Sequence, residues 1–109
     1  MGGRRARRPV SSQAVSERAL QAEALRLLEL LGWRCYHTFD SRRSAPGFPD
    51  LIAVRGDRML ALELKSERGR ATGEQLEWLR ALSAVPGVTA AIVRPGADLA
   101  ELAALVAEL

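Results

Sequence analysis

Apolar and polar positions recur with two different periods along this chain, and the periods predict where helices and strands lie. From Ser16 to about Leu31, leucine and alanine recur at helical spacing, with Ser16 as a candidate N-cap and Gly32 as the stop. The run from Trp33 to Phe39 is rich in aromatic and β-branched residues and predicts a first strand. The positions that define the buried stripe of the helix are Leu20, Ala24, Leu27, Leu28 and Leu31.

Two further apolar runs, Leu51 to Val54 and Met59 to Leu64, predict a β-hairpin. The Gly56-Asp57 pair between them is typical of a two-residue loop, and such a loop fixes the register of the strands. Side chains alternate with period two along a strand, so Lys65 is expected on the face that carries Glu63. The predicted pairs are Arg55 with Arg58, Val54 with Met59, Ile52 with Ala61, and Asp50 with Glu63.

The last third of the chain predicts a helix, a strand and a second helix. Thr72 caps the first helix, which runs to about Ala84, and Gln75 completes a capping box. The apolar run from Val88 to Val93 predicts a strand parallel to the one that ends at Lys65, because the connection has the length of a right-handed crossover. The inward positions of the first helix are Leu76, Leu79 and Leu82, with Trp78 as a further candidate; Asp98 caps the last helix, in which Leu99, Leu102, Leu105 and Val106 face the sheet.

The predicted order of elements is therefore α-β-β-β-α-β-α. Both faces of the central hairpin are apolar, so helices should cover both sides of the sheet. We expect an α/β fold, a three-layer sandwich with a central mixed sheet.

Charge divides the chain into a leader and a domain. The 109 residues include 16 lysines and arginines, 13 acids and one histidine, for a net charge of +3, and 48% of residues are hydrophobic. These proportions indicate a globular domain over residues 16–109, which is nearly neutral once the leader is set aside. Residues 1–15 predict a disordered basic leader, which either only solubilises the protein or contacts phosphates without sequence preference. Its arginines are Arg4, Arg5, Arg7 and Arg8.

The single cysteine, Cys35, excludes an internal disulfide and is typical of a reducing cytoplasm. The sequence contains no run of about 18 apolar residues, and no apolar stretch follows the basic start. We therefore expect a cytoplasmic protein with no membrane span and no secretion signal.

The candidate chemistry lies at the open end of the hairpin. Like charges directly opposite one another, as expected for Asp50 and Glu63, destabilise a sheet unless something neutralises them. A hard cation such as Mg²⁺ or Mn²⁺ would do so, with Lys65 beside it. The alternative is that Asp50 belongs to a Pro-Asp turn and that Glu63 and Lys65 are strand-end charges. Glu17, on the core side of the first helix, either completes the metal shell or only favours the helix dipole.

Several basic residues near this end of the hairpin are candidates for phosphate contact, although exposed arginines often have no such role. His37, the only histidine, is grouped with them, although a packed or hydrogen-bonded histidine is the more common case. The set is Arg42, Arg43, Arg68, Arg70 and His37.

The pattern Pro49-Asp50 followed by Glu63-x-Lys65 resembles the PD-(D/E)XK nuclease superfamily. Residues 16–109 as a whole resemble its VRR-NUC (virus-type replication-repair nuclease) family. The features that carry the likeness are Ser16-Glu17 with the leucine-rich helix, Leu31-Gly32-Trp33, His37, Ser41-Arg42, Gly47-Phe48-Pro49-Asp50-Leu51, Glu63-Leu64-Lys65, Gln75 with Trp78, and Arg94-Pro95 with Asp98.

This resemblance implies a restriction-endonuclease-like sandwich and a Mg²⁺- or Mn²⁺-dependent DNA endonuclease. It implies a homodimer that acts on branched, flapped or four-way DNA in the replication or repair of a bacteriophage or bacterium. The alternatives are a sequence-specific nuclease and a non-catalytic DNA-binding module with the same fold. The implied active-site residues are Glu17, Asp50, Glu63, Lys65 and Gln75, and the implied metal ligands are Glu17, Asp50, Glu63 and the backbone carbonyl of Leu64.

Overall fold

Three helices and four strands make up the part of the chain that the computed structural model describes, residues 16–38 and 45–109. The predicted order α-β-β-β-α-β-α is confirmed. The elements are α1 (Glu17–Leu30), β1 (Arg34–His37), β2 (Leu51–Arg55), β3 (Arg58–Leu64), α2 (Gly73–Ser83), β4 (Val88–Val93) and α3 (Ala97–Ala107).

Two predictions lie outside the described residues. One concerns the basic leader at residues 1–15, and the other concerns Arg42 and Arg43 in the loop after β1. Within the described residues, no helix is both long enough and apolar enough to pass through a membrane.

The four strands form one mixed sheet in the order β1-β2-β3-β4. β1, β2 and β3 run antiparallel to their neighbours, and β4 pairs parallel with β3, as the crossover predicted. Gly56 opens the hairpin turn with a φ of 61°, which a glycine adopts without strain. The predicted register is confirmed at Arg55–Arg58, Val54–Met59 and Ile52–Ala61.

Helices cover both faces of the sheet, which confirms the three layers. α1 and α3 touch each other and share one face, where most of the buried core lies. α2 lies on the opposite face over β3 and β4, and its Leu79 is buried there. The core on the first face is built from Leu20, Ala24, Leu28, Leu60, Leu62, Leu64, Leu102 and Val106.

The first two helices begin at the predicted caps. The Ser16 hydroxyl accepts the Ala19 N–H at 3.0 Å, and Thr72 forms a complete capping box with Gln75. The prediction that Asp98 caps α3 is wrong, because Gly96 is the N-cap, with a φ of 83°. The Pro95-Gly96 turn brings the chain into the helix at Ala97, so the Asp98 carboxylate instead accepts the Arg94 N–H at 3.1 Å.

Two leucines predicted to face the core are exposed. Leu76 of α2 is 43% accessible and Leu105 of α3 is 45% accessible. Each of these helices contributes a narrower stripe to the core than its leucine content indicates, with buried positions at Leu79 in α2 and at Leu102 and Val106 in α3. Only the side of a helix that faces the sheet is buried, so leucines beyond that stripe remain exposed.

Arg55 at the end of β2 joins the two helices that share a face. Its guanidinium donates to the carbonyl of Leu31 at 2.7 Å and to that of Val106 at 3.3 Å, and lies 4.8 Å from the centroid of the Trp33 ring. Neither helix has a basic residue in its last turn. Arg55 therefore supplies, from the hairpin, the positive charge that favours both helix C-termini.

Candidate active site

Gly47 brings the loop that carries Asp50 against the first turn of α2. A Cβ on Gly47 would lie 2.6 Å from the carbonyl carbon of Glu74 and 2.8 Å from the nitrogen of Gln75, and the φ of Gly47 is 84°. The ring of Phe48, the next residue, packs edge-to-face against the ring of Trp78, and the two ring centroids are 5.0 Å apart. This close approach of loop and helix places Asp50 and Gln75 on the same side of the sheet.

Asp50 is held by both of its neighbouring strands. Its backbone carbonyl accepts the Thr38 N–H at 3.0 Å, one residue beyond the end of β1. Its carboxylate oxygen Oδ2 accepts the Leu64 N–H at 2.9 Å, which fixes the side chain over the end of β3. The carboxylate is therefore directed toward β3, where Glu63 lies.

Glu63 is a buried carboxylate, with 2% of the residue accessible. Its Oε2 accepts a hydrogen bond from Gln75 Nε2 at 2.7 Å and lies 3.6 Å from Lys65 Nζ. Its Oε1 is buried, and no N–H or O–H group of residues 16–38 and 45–109 donates to it, although the Asp50 carboxylate is near enough to share a proton with Glu63. Burial, followed by the charge and hydrogen bond of the nearby Asp50 carboxylate, raises the pKa of Glu63 to about 8, and Lys65 opposes that rise.

Gln75 serves both the helix and the site. Its Oε1 accepts the Thr72 N–H at 2.8 Å, which leaves the amide nitrogen directed at Glu63. The sequence predicts Gln75 as part of the capping box, and the family resemblance implies that it also belongs to the active site. The structure shows that it caps the helix and donates to a carboxylate.

Glu17 lies at the border of the site. Its side chain is exposed at the start of α1, and its Oε2 accepts the N–H of Ser66, the residue after Lys65, at 3.4 Å. Among residues 16–38 and 45–109, no three His, Cys, Asp or Glu side chains form a group that could hold a metal ion. The structure thus brings Asp50 and Glu63 together and places Glu17 beside the chain that follows Lys65.

The other predicted contact residues surround the site less closely. His37 is partly buried, and its Nδ1 lies 3.4 Å from Gln21 Nε2. Arg68 and Arg70 are exposed on the loop between β3 and α2. These positions agree with the hydrogen-bonded interpretation of His37 and leave both arginines accessible.

Two residues near the site were not assigned a structural role from the sequence. Thr38 binds the Pro49-Asp50 segment, and Arg94, just after β4, donates to carbonyls of the loop that follows Lys65. A polar residue directly beyond a strand is the signal that could have identified either one.

The donor set at the end of the hairpin fits a hard divalent cation. Two carboxylates converge there, and within the described part of the chain the buried Oε1 of Glu63 has no N–H or O–H donor. Buried polar atoms are almost always satisfied by protein, water or an ion, and Mg²⁺ and Mn²⁺ prefer oxygen ligands. Asp50 and Glu63 could therefore bind such an ion, which would also relieve the repulsion between them.

No family model matches the sequence, and no curated protein matches it. Among solved structures, a VRR_NUC domain protein matches with a TM-score of 0.49 and 22% identity over 68% of this chain. Hjc of Archaeoglobus fulgidus, a Holliday junction resolvase from an archaeal hyperthermophile, matches with a TM-score of 0.49 and 25% identity over 72% of this chain. The match spans 65% of each of those two chains. A structure from the family that the sequence motifs resemble is thus among those to which this chain is similar.

Proposed function

We propose that this chain is a Mg²⁺- or Mn²⁺-dependent DNA endonuclease of the VRR-NUC type. The observation that carries the proposal is the buried Glu63 beside Asp50 and Lys65, with one oxygen that has no N–H or O–H donor among the described residues. A fold without a ligand at this point would be more stable with an apolar residue in place of Glu63. The burial of this carboxylate supports a chemical role rather than a structural one.

Asp50, Glu63 and the backbone carbonyl of Leu64 would hold the ion. Glu17, whose carboxylate accepts the Ser66 N–H, would complete the shell only by turning its side chain toward them. When bound, the ion would polarise a phosphodiester and lower the pKa of a water molecule. The protein supplies the fixed positions of the ligands, because Asp50 is bound to the Leu64 N–H and Glu63 to the Gln75 amide.

Lys65 would stabilise the negative charge that develops on the phosphate during hydrolysis. Its Nζ lies next to Glu63, and its side chain is only 12% accessible, so its charge acts where little water competes. Gln75 holds Glu63 in one orientation through the capping box of α2. The five predicted site residues thus divide three tasks in the proposed reaction: Asp50, Glu63 and Glu17 hold the ion, Lys65 stabilises charge, and Gln75 orients Glu63.

The proposed substrate is structured DNA, such as flaps, forks and four-way junctions. Arg68 and Arg70, together with Arg42 and Arg43, would contact phosphates, which carry no sequence information. We propose that the protein acts as a homodimer in replication or repair, in the cytoplasm of a bacterium or of a phage-infected host.

A cleavage assay tests the proposal. The purified protein is incubated with flapped, forked, four-way and linear duplex DNA in Mg²⁺, Mn²⁺ or EDTA. We expect cleavage of the branched substrates with either metal and none in EDTA. Lys65→Ala and Glu63→Gln should each lower kcat by at least about 100-fold, whereas the exposed Arg80→Ala and Glu77→Gln controls should not.

Other outcomes would contradict the proposal in different ways. Binding without cleavage in any metal would indicate a non-catalytic DNA-binding module. Cutting of linear duplex at one recurring sequence would indicate a sequence-specific nuclease. Unchanged cleavage by Lys65→Ala would remove Lys65 from the reaction.

A further inference from the structure

The peptide that follows Lys65 is bound from two sides. The Ser66 N–H donates to the Glu17 carboxylate at 3.4 Å, and the Ser66 carbonyl accepts from Arg94 Nη1 at 2.8 Å. The same arginine nitrogen also donates to the carbonyl of Gly69 at 2.7 Å and, at the longer distance of 3.4 Å, to the carbonyl of Glu67. One guanidinium therefore holds most of the turn from Ser66 to Gly69.

This turn lies beside the Lys65 side chain. A Cβ on Gly69 would lie 3.5 Å from Lys65 Cδ and 3.1 Å from Ser66 Oγ. The Gly69 N–H also donates to the Ser66 carbonyl at 3.2 Å, which closes the turn. The Lys65 methylenes therefore lie within about one carbon atom's reach of a segment whose carbonyls Arg94 binds.

Arg94 is itself fixed at its backbone. It follows β4, whose last residue, Val93, accepts the Lys65 N–H at 3.0 Å through its carbonyl. The Asp98 carboxylate accepts the Arg94 N–H at 3.1 Å. The Arg94 side chain thus starts from a rigid position at the edge of the sheet and reaches across to the turn beside Lys65.

We infer that Arg94 is a positioning residue for Lys65, a role that rests on the proposed nuclease function. It binds the Ser66–Gly69 turn, and the turn holds the Lys65 side chain next to Glu63. Hydrogen bonds from a charged donor to carbonyls are stronger than neutral ones, so a single guanidinium can fix a turn of this size. Arg94 acts through this turn and does not contact the substrate.

The alternative role for an arginine in a nuclease is contact with a DNA phosphate, and the two roles predict different measurements. A phosphate contact contributes to affinity and to its salt dependence. A positioning residue changes the rate of the chemical step and leaves DNA binding as it was.

The experiment compares Arg94→Ala and Arg94→Lys with the wild type and with Arg80→Ala, which removes an equal charge from the exposed side of α2. We expect kcat of Arg94→Ala to fall by about 10- to 100-fold, with KM, DNA affinity and its salt dependence within twofold of the control. Arg94→Lys should recover part of kcat, because an ammonium can still bind one of the carbonyls.

A readout without DNA accompanies the kinetics. Amide hydrogen exchange at Gly69 should be at least about 10-fold faster in Arg94→Ala than in Arg80→Ala, because the turn loses its main ligand. If the wild type shows no metal-dependent cleavage, the proposed function is refuted. The exchange measurement then still tests whether Arg94 holds the turn.

Two results would overturn the inference. One is a kcat for Arg94→Ala equal to that of Arg80→Ala. The other is weaker DNA binding with a shallower salt dependence and unchanged kcat, which would make Arg94 a phosphate contact. If Arg94→Ala does not fold, the kcat and the amide exchange of Arg94→Lys test the inference instead. A wild-type kcat together with fast exchange at Gly69 would overturn it, because the turn would then have loosened without an effect on Lys65.

Discussion

Glu63 is the residue at which packing and charge conflict most strongly. It lies between Ala61 and Lys65 on the face that α2 covers, where an apolar side chain would pack without an electrostatic penalty. Its carboxylate has one good donor, Gln75, and one cation, Lys65, against the burial and the negative charge of Asp50. This conflict raises the pKa of Glu63, and the raised pKa makes the stability of the metal-free protein depend on pH.

The pH dependence has a definite sign. The pKa of Glu63 is raised from 4.5 to about 8 in the folded protein, so between these values the folded state binds more protons than the unfolded chain. The contribution of Glu63 to stability is therefore fully present below pH 4.5 and is lost as the pH rises toward 8 and beyond. We expect the free energy of unfolding in EDTA to fall by a few kcal/mol over this range, measured by urea titration.

Glu63→Gln is the matched variant for this measurement, with Glu77→Gln as the exposed control. The glutamine variant should lose most of the pH dependence, and the control should keep it. Adding Mn²⁺ at pH 8 should stabilise the wild type and not Glu63→Gln, because a ligand that binds only the folded state stabilises it. An equal pH dependence in all three proteins would show that Glu63 does not titrate in this range.

Asp50 carries the second prediction at this scale. Asp50→Asn removes the negative charge that faces Glu63 and keeps a side-chain oxygen for the Leu64 N–H. We expect the melting temperature in EDTA at pH 8 to stay the same or rise, the pKa of Glu63 to fall, and DNA cleavage to decrease. A loss of stability of about 2 kcal/mol or more would instead support a structural role of Asp50 in the Pro-Asp turn.

Among the secondary-structure elements, α2 has the largest influence on the site. Its capping box orients Gln75, and its first turn is the surface against which the Asp50 loop packs. The start of α2 and the loop that leads into the hairpin are therefore packed against each other, although more than twenty residues separate Gly47 from Glu74.

Gly47→Ala tests this packing contact between the loop and α2. The new Cβ would lie under 3 Å from backbone atoms of Glu74 and Gln75, and a φ of 84° is strained for alanine, so either the loop or the helix must shift. We expect a loss of stability of about 1–3 kcal/mol by urea or thermal unfolding, and a lower kcat because Asp50 and Gln75 separate.

Gly73→Ala is the control for this prediction. Gly73 begins α2, has open space around its Cα and has no positive φ. The alanine variant should be as stable as the wild type or more stable, by up to about 1 kcal/mol. If the two variants show the same change in stability and in kcat, close packing at Gly47 does not hold the loop.

At the scale of the whole molecule, one side chain links the hairpin to both helices of the main core face. Arg55 binds the C-terminal end of α1 and the last turn of α3 and stacks on Trp33. Elements from the beginning, the middle and the end of the described chain therefore meet at one guanidinium.

Arg55→Met should keep the packing of the methylenes and remove both hydrogen bonds. We expect a loss of stability of about 1–3 kcal/mol in urea titrations. Arg58→Met is the control, because Arg58 is paired with Arg55 across the hairpin and its side chain is half exposed. A similar effect of both substitutions would assign the loss to net charge rather than to the helix ends.

The order of the elements, the hairpin register and two of the three helix caps could be predicted from the sequence. These features depend on interactions between residues close together in the chain. Gly56-Asp57 determines the pairing of its own flanking strands, and Ser16 and Thr72 bind N–H groups three residues away. The end of the hairpin therefore collects Asp50, Glu63 and Lys65 by local geometry alone.

Only the tertiary structure decided how those residues are held. The contact of Gly47 with α2, the choice of Glu63 as the partner of Gln75, and the reach of Arg94 to the turn beside Lys65 all join residues that are distant in the chain. The same is true of the exposed Leu76 and Leu105 and of the role of Asp98, which differ from prediction. Periodicity shows that a face is apolar, but the amount of that face that is buried, and the partner of each polar group, depend on how the elements pack.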